Sequence, residues 1–167
     1  MSFNEDLAQE REQVLGLIRH ASAGWAEAMR AHKLAPPDSG FAGRLSRLAE
    51  AAAAEQIAWE QASAAGLLWR PVPGAERAEP PYELRPATGR RGPDELWIRF
   101  DLAVNELNQA ISGSDSTTVA IAFGAMADAA GALAAAVNRE DQYLADIRAR
   151  TEARERSRSE TGDREVA

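Results

Sequence analysis

Residues able to do chemistry are few in this 167-residue chain, and their spacing rules out more than it suggests. The only histidines, His20 and His32, fall on different faces of one predicted helix, so they cannot share a metal ion without ligands from elsewhere. No glutamate is followed three positions later by histidine, which removes the Glu-x-x-His pairs of carboxylate-bridged metal bundles. There is no cysteine, so thiolate catalysis, disulfides and cysteine-ligated zinc are excluded. Phosphate-cradling glycine loops, a GxSxG elbow and a serine–histidine–aspartate set are also missing. Asp101, Glu106, Asp128 and Glu140 remain as carboxylates that could act with arginine and tyrosine. Charges at such spacing on amphipathic helices normally serve only to be solvated. The reading is therefore no metal, no cofactor and, on balance, no enzyme.

Two groups of residues are candidates for binding. Trp25, Trp59 and Trp97, with Gln56 on a core-facing stripe, could edge a small-molecule pocket between helices, because large rings beside small residues can leave a gap. Filling the core is the commoner use of such rings, and a satisfied or half-exposed structural amide the commoner state of such a glutamine. The second group is Tyr82, Arg85, Arg90 and Arg91 in a proline-rich stretch, with Ile98 and Leu102 just beyond it. These could receive a protein partner, although a basic loop in an acidic chain is also what simple solvation would produce.

The elements that must position these residues are helical. Alanine makes up roughly a fifth of the chain and aromatics only 6%, a balance that favours helix because alanine gives up no side-chain entropy there. From Val119 to Val137 only Asp128 is charged, so this helix must be covered on more than one side and belongs at the centre of a bundle. The mid-stretch charge and polar flanks argue against a membrane span. A first helix is predicted from Ser2 or Asn4 to about Lys33, with Leu7, Val14, Ile18, Ala21, Trp25, Met29 and His32 on its inner face. A second runs from Ser39 or Gly40 to about Gly66, presenting Phe41, Leu45, Leu48, Ala52, Gln56 and Trp59, with Glu55 at the edge.

Residues 69–93 hold prolines 71, 73, 80, 81, 86 and 93, too dense for helix, and are expected to lie along the bundle wall. The third helix opens at Pro93-Asp94-Glu95. Leu96, Phe100, Ala103, Val104, Leu107 and Ile111 form its core face, and Ile98 and Leu102 a second, outward apolar strip. After a turn at residues 112–116 the fourth helix carries Val119, Phe123, Met126, Ala130, Leu133, Val137 and Leu144, while Gly124, Ala127 and Gly131 allow a neighbour close. Beyond Ile147 the apolar period fades into charges of both signs, read as a fraying, disordered tail over 151–167.

The expected fold is thus all-α: a four-helix bundle over residues 1–150, made of two antiparallel hairpins joined by a long proline-rich connection. A net charge of −7 weighs against nucleic acid and anionic lipid. The acidic N-terminal segment has no apolar run of a secretory signal, so a cytoplasmic location is expected. Alanine- and arginine-rich, lysine-poor usage resembles that of high-GC bacteria. The functional expectation is a non-enzymatic interaction or regulatory protein, expected to form a homodimer through Ile98, Leu102 and the proline–arginine loop. The alternative is a ligand-binding bundle or enzyme with the tryptophan-edged pocket.

Overall fold

A computed structural model describes residues 2–34, 40–67, 91–112 and 115–166. Four helices account for nearly all of them: α1 (Phe3–Leu34), α2 (Phe41–Ala64), α3 (Asp94–Ile111) and α4 (Ser116–Val166). The fold is an all-α four-helix bundle. Each helix buries a stripe that steps by four and three in alternation, the spacing that keeps one seam facing a partner at a shallow crossing angle. On α2 the stripe is Phe41, Leu45, Leu48, Ala52, Glu55, Trp59 and Ala62. On α1 it is Val14, Ile18, Ala21, Trp25, Ala28 and His32, and on α4 Val119, Phe123, Met126, Ala130, Leu133 and Val137.

The helix ends follow local chemistry. Glu5 accepts the Ser2 N–H at 3.0 Å, half of a capping box, and the Asp115 carboxylate accepts the Thr118 N–H at 2.8 Å to open α4. That bond holds the Asp115 carboxyl below its usual range. Pro93 stands just before α3, with Asp94 and Glu95 in its first turn.

Side-chain pairings fix the topology. Ser63 meets Thr117, Gln56 lies against Gly124, and Ala49 lies against Gly131, so α2 and α4 run antiparallel. Ser22 bonds to Glu55 and His32 packs on Phe41, which makes α1 antiparallel to α2. Gly92 abuts Leu133 and Val137, and Arg91 forms an ion pair with Asp141, which makes α3 antiparallel to α4. The directions are therefore up, down, down and up. Leu67, whose carbonyl accepts the Ser116 hydroxyl, and Arg91, held by Asp141, flank the connection at levels 25 residues apart on α4, about 37 Å. No short turn bridges that distance, and this accounts for the length of the segment. Its expected course along the bundle wall concerns residues 68–90, which lie outside those described.

α4 packs most extensively on α2 and then on α3, and it is hemmed in as its composition requires. Eleven residues between Val119 and Val137 are buried, leaving Ile121, Asp128 and Ala135, seven apart, as its outer line. This half is apolar and long enough to cross a membrane by length and composition, but most of it is buried inside the bundle.

Three expectations need correction. Leu7 and Leu144, placed on core stripes, are 41% and 40% exposed, because α1 begins and α4 continues beyond the ends of the helices that would cover them. Gln56 is only half-buried, and Glu55 takes its place on the core stripe. The segment 151–167, expected as a disordered tail, is helical as far as Val166. Spacings such as Asp146 to Arg150, Glu152 to Arg156 and Glu160 to Arg164 support such an exposed helix.

Two glycines make opposite predictions. A Cβ on Gly131 would sit 3.8 Å from Ala49, ordinary contact, so Gly131→Ala should raise stability by about 0.5–1 kcal/mol through helix propensity. Gly92 has φ +93, and a Cβ there would lie 3.2 Å from Leu133, so Gly92→Ala should cost about 1 kcal/mol or more. Urea unfolding of both variants measures these differences.

Candidate functional site

The four residues proposed to edge a pocket do not converge on one. Trp25, Trp59 and Trp97 are all nearly fully buried. The Trp25 ring meets Phe123 edge-on at 5.5 Å. Trp97 stacks on Phe41 at 6.0 Å and donates its Nε1–H to the Arg91 carbonyl at 2.8 Å. Phe41 stands 18 residues from Trp59 along α2, about 27 Å, so Trp97 and Trp59 belong to different ends of the core. Gln56 donates to Glu60 at 3.0 Å, with its amide pressed against the bare Cα of Gly124. The rings fill the bundle, and the amide packs a helix–helix contact.

Two polar groups that the sequence reading did not single out as a site sit deeper. Glu55, 2% exposed, accepts the Trp59 Nε1–H at 2.9 Å one turn along α2, and Ser22 of α1 bonds to the same carboxyl. Burial pushes this carboxyl up to about 7, against the lowering effect of the Trp59 and Ser22 bonds. His32, also buried, packs on Phe41, and its Nδ1 has no hydrogen-bond partner. Burial, reinforced by the positive charge of Arg44, lowers it to about 4. Both groups are thus held towards their neutral forms. Glu55 is shut off from solvent, and its bonds to Trp59 of α2 and Ser22 of α1 tie the two helices together.

The signal for Glu55 was present in the sequence. The strict alternation 41, 45, 48, 52, 55, 59, 62 passes through Glu55 and misses Gln56.

Of the residues proposed to meet a partner, Arg91 is engaged inside the chain with Asp141, while Tyr82, Arg85 and Arg90 lie outside the described residues. Ile98 and Leu102 are 59% and 57% exposed, one turn apart on the outward face of α3. Among the described residues no group of three His, Asp or Glu could hold a metal ion. Among the described residues, Gly92, Pro93, Ala136, Arg139 and Glu140 line an open hollow where α3 begins. No family model, curated protein or solved structure matches the chain. The assignment of function therefore rests on the exposed faces of the helices.

Glu55 and His32 bend the pH dependence of stability in opposite senses. The folded-state pKa of Glu55 is raised above its ordinary value of 4.5, so its contribution is intact below pH 4.5 and lost as pH rises through about 7. The folded-state pKa of His32 is depressed from 6.5, so its contribution is intact above pH 6.5 and lost as pH falls through about 4. Relative to wild type, Glu55→Gln should gain stability between pH 4.5 and 8, by up to about 3 kcal/mol. His32→Gln should gain between pH 6.5 and 4. Melting curves across pH 4–8 for the three proteins would show difference plots of opposite slope.

Proposed function

We propose that this protein is a non-enzymatic helical-bundle interaction protein that self-associates, using the outward face of α3 as its contact surface. The observation that carries this reading is the pair Ile98 and Leu102, more than half exposed on a well-packed helix whose other face is fully committed to the core. Each large side chain left in water forgoes roughly 1.5–3 kcal/mol of burial, and two adjacent on an ordered helix form a ready nucleus for association. Two observations support the same reading: the tryptophans are packed in the core, and the Glu55 carboxyl is taken up by Trp59 and Ser22. The acidic surface disfavours phosphate-bearing polymers and leaves a protein as the fitting partner.

Light scattering on the full chain at micromolar concentration should report the mass of two chains. Ile98→Glu/Leu102→Glu should report one chain with unchanged helicity. A wild-type mass of one chain, or a variant that stays paired, would overturn the reading.

A further inference from the structure

In such a dimer something must lie on Ile98 and Leu102, and two side chains from each copy fall far short of the roughly 1,200–2,000 Å² that stable interfaces bury. The far half of α4 has the area and chemistry to fill this gap. Its core stripe does not stop at the end of the bundle: past Val137 the same alternation continues as Glu140, Leu144, Ile147, Thr151, Arg154 and Arg158. Val137 is fully covered, yet every residue from Gln142 to Arg164 is exposed, with Leu144 and Ile147 at 40% and 41%. This arm is about 35 Å long, close to the length of the bundle itself.

Charge decides what the arm can meet. Between Arg148 and Arg158 five arginines stand against two glutamates, which makes this stretch of the arm basic and suited to an acidic face. α3 has the opposite balance, with Asp94, Glu95, Asp101 and Glu106 against Arg99. At about 100° per residue, Glu95, Ile98, Leu102 and Glu106 share the outward face of α3, as Leu144, Ile147, Thr151 and Arg154 share one face of the arm. The arm cannot fold back onto its own α3, because α4 is one unbroken helix to Val166.

We propose that the α4 arm docks along the outward face of α3 in a second copy of this chain, reciprocally about a two-fold axis. Leu144 and Ile147 cover Ile98 and Leu102 of the second copy, and Arg154 reaches its Glu106. The direction follows from the fold. If the two α4 helices run antiparallel across the axis, each arm runs parallel to the α3 it meets, because α3 is antiparallel to its own α4. In that direction the apolar pairs align first, and the arginine follows towards the acid. This rests on the self-association proposed above and names what occupies the α3 face.

Complementation tests it on the full chain. Ile98→Glu/Leu102→Glu and Leu144→Glu/Ile147→Glu should each give the mass of one chain in light scattering, with helicity by circular dichroism unchanged. Mixing the two variants should restore a two-chain species, weaker than wild type. One copy then supplies an intact arm and the other an intact α3, so one of the two contacts survives. If the arm variant keeps the wild-type mass, or if the mixture stays single-chain, arm exchange is overturned while self-association through α3 stands. A single-chain mass for the wild type overturns both.

Discussion

The close approach of α2 and α4 is the contact on which the other placements depend. It is made by what is missing: Gly124 has no Cβ where Gln56 lies, and Gly131 leaves Ala49 room at van der Waals distance. Alanines at 49, 52, 129 and 130 keep the surrounding surface shallow. With the two backbones close, larger side chains are free to work at the outer seams. Phe123 meets Trp25 of α1, and Leu133 and Val137 receive Gly92 at the entry to α3. α1 therefore packs on α2 and α3 on α4, and among the described residues α1 and α3 do not approach closely. The up-down-down-up order follows, and so does the need for a connection that reaches from one end of the bundle to the other.

Polar groups inside such a core have to be neutral or paired, and this chain uses both solutions. Glu55 holds its proton towards neutrality and accepts an indole N–H, and Ser22 ties the same carboxyl to α1. His32 loses its proton near Arg44, among the rings at the α2 N-terminus. Each weakens the fold on one side of the pH scale, and the two penalties overlap only between pH 4.5 and 6.5. An apolar residue at either place would be the simpler way to fill the stripe. What Glu55 adds is a directional bond between helices whose apolar stripes alone would tolerate sliding, the way a buried polar group can fix register.

Much of this was legible in the sequence because it depends on period and composition. The bareness of residues 119–137 required burial, and the four-and-three spacing named most of the core. Misreadings arose where local pattern had to yield to three-dimensional extent. Gln56 and Glu55 are neighbours on the α2 face, and only strict alternation selects the acid. Leu7 and Leu144 obey the period, but period cannot say where the covering helix ends. The tail beyond residue 150 has a charge pattern that suits both disorder and a solvated helix; continuity with a buried helix on its N-terminal side removes the cost of nucleation and favours the helix. The sense of the α3–α4 hairpin relative to α2 could not be read, since a long connection is compatible with either.

That continuity also gives the arm its mechanical character. α4 contains no proline, and beyond Gly131 its only glycine is Gly162, close to the end, so nothing between the bundle and Thr161 provides a hinge. The helical phase set by Val119–Val137 in the core is carried outward, and it determines which side Leu144 and Ile147 present. A surface fixed in this way loses little conformational freedom on docking, so modest apolar area and a few charge pairs go further than they would on a flexible segment. The same small residues that let α4 sit deep in its own bundle thereby determine the direction in which its exposed half can meet another chain.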